Sequence, residues 1–107
     1  MSDIKEERMK EIIREKAAEF LERESSGGAL LTVTNVKLIE RGTKALISFT
    51  VFPSDKENGA LDFAKRKRSD FRDFLKKETK LFRLPFIDFE IDLGEKNRQK
   101  IDSLSQL

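Results

Sequence analysis

The sequence contains no cysteine, no histidine, no tryptophan and no tyrosine. Without cysteine, disulfides, thiolate metal sites, iron–sulfur clusters and thiol nucleophiles are excluded. Without histidine, the commonest general base, the serine–histidine triad and the imidazole ligand are excluded too. Any catalysis would have to rest on carboxylates, Lys, Ser or Thr alone. No apolar run approaches the ~20 residues of a membrane-spanning helix. The charged opening, Met1 to Lys10, lacks the apolar stretch of a signal peptide. These absences set the expectation of a soluble, cytoplasmic non-enzyme, with no cofactor, metal, membrane contact or small-molecule substrate. A monomer is expected separately, because the amphipathic helices read below can cover one sheet face.

What the chain does contain is charge. Charged residues make up 39% of it and apolar residues 37%, which suffices for one modest core inside a charged shell. A single domain over residues 1–107 is therefore expected, with a polar tail from about residue 95.

Met9, Ile12, Ile13, Ala17, Phe20 and Leu21 recur at helical spacing, with Asp3 and Glu6 placed as a capping box. Ser25-Ser26-Gly27-Gly28 ends that helix. Two strands follow, at residues 31–38 and 45–51, joined by a hairpin turn at Arg41–Lys44. In the first, the apolar positions shift from odd (Leu31, Val33) to even (Val36, Leu38), which predicts a bulge near Asn35. Pro53 ends the second, and Ser54 with Glu57 matches another capping box. Ala60, Leu61 and Ala64, then Phe71, Phe74, Leu75, Leu81 and Phe82, continue a helical pattern up to Pro85. A break is expected between Lys67 and Asp70, with Ser69 as the N-cap of the later helix. Ile87, Phe89 and Ile91 alternate with Asp88, Glu90 and Asp92 in the clearest strand of the chain, which Gly94 ends. Ile101 and Leu104 would anchor a short final helical turn.

The order is α-β-β-α-α-β: a two-layer α+β sandwich, with a three-stranded mixed sheet and the helices on one face. This is the order of the type II KH fold. Several segments resemble the ribosome-binding factor A family: Leu31–Val36, Arg72 within Asp70–Leu75, Arg83–Asp92, and the closing pair Ile101 and Leu104. Two features depart from that family's pattern. Lys67-Arg68-Ser69 stands where an Ala-x-Gly kink is usual, and Ser25–Gly28 where Asp-Pro-Arg is common. The chain is thus identified as a divergent member. The resemblance implies a non-catalytic factor that binds the maturing small ribosomal subunit and its rRNA, then leaves.

Residues 65–83 hold nine Lys or Arg and three acids, a surplus of six in a chain whose net charge is +2. Arg68, Arg72, Lys76 and Lys80 lie on one i+4 row, so a helix would display them as a cationic ridge on the solvent side. Lys65, Arg66, Lys67, Arg68, Ser69, Arg72 and Lys76 are the expected RNA-binding residues: the cations for phosphates, Ser69 and its neighbours for backbone N–H groups. The alternatives are a merely solvated face, or a protein-docking ridge for an acidic partner. Phe20, Phe49, Phe71, Phe74, Phe82 and Phe89 fall at core spacing, leaving Phe52, Phe63 and Phe86 as stacking candidates. Asp88, Glu90 and Asp92 would repel phosphates, so the open sheet face is expected to take no part. With no histidine beside them they read as a solvated face rather than a nuclease site.

Overall fold

Phe20, Phe49, Phe71 and Phe89 come from four different elements and meet in one core. The computed structural model describes residues 2–25 and 28–98. Its elements are α1 (Ser2–Glu24), β1 (Leu30–Ile39), β2 (Lys44–Phe52), a 3-10 turn (Ser54–Lys56), α2 (Glu57–Arg66), α3 (Arg68–Glu78) and β3 (Phe86–Ile91). Residues 93–98 form a further helical turn. Asp3 of the α1 capping box, and Ile101 and Leu104, lie outside the side chains described.

The sheet order is β1-β2-β3, with β1 antiparallel and β3 parallel to β2. Every residue expected inward on β2 is buried, as are Ile87 and Phe89 of β3. The helices complete the core with Ile13, Ala17, Phe20 and Leu21, Ala60 and Ala64, and Phe71, Phe74 and Leu75. Phe71 lies 5.2 Å from Phe20 and 6.0 Å from Phe89 (ring centroids), and Phe89 meets Phe49 edge-on at 6.1 Å. Such tilted and edge-on contacts are the preferred aromatic geometries.

The bulge is present. Val33 pairs with Phe49 and Asn35 with Ser48, so Thr34 is the extra residue. Its hydroxyl lies 2.5 Å from Asp92 Oδ2 and 3.2 Å from the Ser48 carbonyl. The one hydroxyl proton favours the carboxylate, because charge-assisted bonds are stronger. Asp92 Oδ1 accepts the Glu95 N–H at 3.0 Å, capping the turn at 93–98. The Thr34 hydroxyl foremost, with the N–H groups of Glu95 and Gly94, holds the Asp92 carboxyl below its ordinary 3.8 despite an opposing push from burial.

Three local expectations need correction. Ser54 makes no side-chain cap, and the residues after Pro53 form the 3-10 turn instead. The helical pattern does not reach Pro85. Helix α3 stops at Glu78, because the N–H and hydroxyl of extended Thr79 both bond to the Leu75 carbonyl, at 3.0 and 2.7 Å. The chain then leaves helical geometry and bends at Phe82 and Arg83, so Leu81 packs on the core while Phe82 is 99% exposed rather than buried.

The hairpin turn begins one residue earlier than expected, at Glu40. Glu40 (φ 52°) and Arg41 (φ 59°) both adopt the left-handed region, closed by the Gly42 N–H to the Ile39 carbonyl at 3.0 Å. That geometry suits Asn-Gly, and a residue with a Cβ is strained there. Arg41→Gly is expected to raise stability by up to about 1 kcal/mol, after the extra chain entropy of glycine is subtracted. A higher urea midpoint with an unchanged slope is the result to look for.

Candidate nucleic-acid interface

The junction between α2 and α3 is a single residue. Lys67 leaves helical geometry (φ −96°, ψ 9°), and its N–H is shared between the Phe63 and Ala64 carbonyls at 3.1 Å each. A continuous helix would give the Lys65 carbonyl to the N–H of residue 69. Here Arg68 Nε takes that carbonyl at 2.9 Å. The arginine side chain therefore caps α2, and the break needs no glycine. It falls two residues before Ser69, which sits inside the first turn of α3 and is not its N-cap.

The expected site residues divide into groups. Lys65, Arg66 and Arg68 surround one recess, together with Gly59 and Asp62. Arg68, Ser69 and Arg72 line a second, of about 450 Å³, closed by Glu40, Lys44, Phe86, Ile87 and Asp88. Arg68 belongs to both. Lys67 turns the other way, toward α1, 3.7 Å from Glu24 and from Asp70. Lys76 lies farther along α3, exposed and outside both recesses. Arg66 and Lys76 have no ion-pair partner among the described residues.

Two members of the ridge are engaged by the protein itself. Arg72 is half-buried, not on the solvent side as expected. Its Nε donates to the Pro85 carbonyl at 3.1 Å and its Nη2 to that of Leu84 at 3.0 Å. Its guanidinium lies 5.3 Å from the centroid of the Phe86 ring. Arg68 Nη1 is 3.3 Å and Lys65 Nζ 3.0 Å from Asp88 Oδ1, and Lys44 Nζ is 3.9 Å from Oδ2.

Asp88 is the residue that sequence reasoning misplaced. Strand alternation assigns it to the outer face, yet β3 is the edge strand, and α2 and α3 reach its carboxylate around that edge. Partial burial pushes the Asp88 carboxyl up, but the Lys65 ammonium, the Phe89 N–H and the charges of Lys65 and Arg68 outweigh this and hold it below 3.8. Glu90 accepts the Ser48 hydroxyl at 2.7 Å and Asp92 holds the bulge, so all three acids have structural partners. Among the described residues, no acidic cluster could hold a metal ion. No helix among them is long and apolar enough to cross a membrane. Of the stacking candidates, Phe52 and Phe86 are 73% and 69% exposed, while Phe63 packs partly against the core.

A family model described as ribosome-binding factor A matches residues 5–105. Among solved structures, ribosome-binding factor A from Thermus thermophilus superposes with a TM-score of 0.70 at 24% identity, covering 78% of this chain and 91% of that one. A Thermotoga maritima protein, assigned as a ribosome binding factor A, gives a TM-score of 0.61 at 20% identity, over 78% and 82% of the two chains. No curated protein sequence matches the chain.

Two stability measurements separate engaged from unengaged cations. Arg72→Ala is expected to cost about 1.5–3 kcal/mol, since it removes charged donors from two carbonyls. Arg66→Ala and Lys76→Ala should each stay within about 0.5 kcal/mol in the same urea titration. Asp88 gives a pH signature. Its folded value lies below 3.8, so its contribution is complete above that value and is lost as the pH falls through the folded value. Asp88→Asn should be less stable than the wild type at neutral pH, and acid titration below 3.8 should close the gap.

Proposed function

The chain belongs to the ribosome-binding factor A family, and from that premise we propose that it is a non-catalytic RNA-binding factor in small-subunit maturation. It acts in the cytoplasm as a monomer and contacts small-subunit rRNA through the α2–α3 junction. Lys65, Arg66, Lys67, Arg68, Ser69, Arg72 and Lys76 form the contact surface.

The observation that carries this reading is the division of labour within the cationic segment. Arg66 and Lys76 extend from a well-packed helix pair with no carboxylate to neutralise them among the described residues. Lys67 is held by two pairs at 3.7 Å and lies 6.0 Å from the centroid of the Phe63 ring, contacts that cost little to open. Arg68 and Ser69 open α3, where first-turn N–H groups lack partners within the helix and the positive dipole end favours an anion. Arg72 acts differently: it fixes the chain entering β3, and so the wall of the recess. Phosphate contacts of this kind position a protein without reading sequence. Specificity then comes from the shape of the rRNA that fits between the junction and the β3 edge.

Asp88 tempers the surface. It offsets part of the charge of Lys65 and Arg68, so it acts on the interface and not as part of an idle face.

Changing Arg66, Lys67 and Lys76 together to Ala should weaken binding to isolated small subunits. It should also flatten the dependence of log K on log salt by about two units, at roughly 0.7–0.9 for each phosphate no longer neutralised. Asp88→Asn should tighten binding at low salt, by releasing Lys65 and Arg68. Co-sedimentation of the tagged protein with free small subunits, and not with polysomes, is the cellular result expected. If the triple variant binds as well as the wild type, the junction is not the RNA surface. If the wild type ignores small subunits at low salt, an acidic protein partner becomes the better reading.

A further inference from the structure

The connection between α3 and β3, residues 79–85, is the least expected part of the surface. A chain with few apolar residues to spare exposes one phenylalanine there almost completely: Phe82 is 99% accessible. The ring is not at the tip of a slack loop. Thr79 fixes the start of the connection through two bonds to the Leu75 carbonyl. Leu81 and Leu84, on either side, pack against the core. Arg72 bonds the Leu84 and Pro85 carbonyls at its end. With these anchors turned inward, Phe82 and Arg83 are turned out together.

The chain on either side of the ring is cationic. Lys80 and Arg83 flank it, both exposed and without an ion-pair partner among the described residues. No acid occurs between Thr79 and Ile87. Lys76 and Lys77 add charge farther back on α3, with Glu78 between them and the connection.

We propose that Phe82 is a stacking residue for an unpaired RNA base, with Lys80 and Arg83 holding the phosphates on either side of it. The proposal rests on the reading of this chain as an RNA-binding factor, and it adds the kind of RNA contacted. A paired helix keeps its bases stacked inside, so an isolated aromatic ring can engage only a single-stranded or looped-out nucleotide. An aromatic platform between cations is the arrangement single-strand binders use, and it tolerates any base. An apolar protein pocket would take the ring equally well, but gains nothing from the two cations beside it in the chain.

The absence of tryptophan and tyrosine makes the test direct. Phe82→Trp introduces the only strong fluorophore of the chain, at a position whose exposure spares the fold. Its emission should be quenched by short oligoadenylate and oligouridylate, and much less by a fully paired RNA hairpin. Phe82→Ala should weaken oligonucleotide binding about tenfold. Phe82→Leu, apolar but without a π face, should weaken it nearly as much, and neither change should move the thermal unfolding midpoint. The proposal is overturned if bound oligonucleotide leaves the tryptophan unquenched, if leucine restores wild-type affinity, or if the wild type binds no single strand at low salt.

Small-subunit binding, measured in parallel, keeps the two readings apart. If wild type and Phe82→Ala bind subunits equally and the tryptophan stays unquenched on them, the stacking role falls and the family role stands. A blue shift without quenching means the ring is buried against protein, and overturns the proposal as well. If the wild type fails to bind subunits, the family role is struck, while the oligonucleotide titration still decides the stack.

Discussion

The position of the Phe71 ring governs the arrangement of everything around it. It is fully buried, with Phe20 of α1, Phe74 of its own helix and Phe89 of β3 within 5.2 to 6.4 Å. Helix α2 fully buries only the small Ala60 and Ala64, with Leu61 and Phe63 packed partly against the core. Helix α3 buries Phe71, Phe74 and Leu75. The two helices thus turn side chains of different size inward. The break at Lys67 separates them, and it brings the most basic stretch of the chain to a bend.

A bend crowded with cations is unfavourable unless something offsets them. Asp88 does so from the adjacent edge strand, drawing on Lys65 of α2, Arg68 of α3 and, at longer range, Lys44 of β2. Three elements are thereby referred to one carboxylate. Of the seven expected contact residues, Arg66 and Lys76 are the cations left without an ion-pair partner among the described residues. A surface assembled this way keeps the like-charge repulsion tolerable while leaving net positive charge at its rim.

Much of this was legible in the sequence, for reasons that can be named. Period-two alternation marked β2 and β3, and the parity change between Val33 and Val36 marked the bulge, because both follow from backbone geometry alone. The element order and the resemblance agreed with the fold. The failures have two causes. The engagement of Arg72 and the location of Asp88 depend on groups meeting across the fold, which no local pattern encodes. The end of α3, and with it the exposure of Phe82, follows from a local bond of Thr79 to the Leu75 carbonyl that the apolar stripe masked. Phe82 continued a helical stripe that Thr79 had already ended. Asp88 obeyed strand alternation, but edge position decided its neighbours. The Arg68 side chain replaced a glycine that local rules led one to miss at the kink.

The bond between Thr34 and Asp92 spans 58 residues of sequence. The bulged residue of the hairpin is therefore satisfied by a group that follows the third strand. Asp92 lies just past β3, so the bond can close only where the third strand is docked beside β2. The Ser48 carbonyl, 3.2 Å away, is the acceptor the hairpin itself offers to the same hydroxyl. The bulge works as a latch that the third strand closes behind itself.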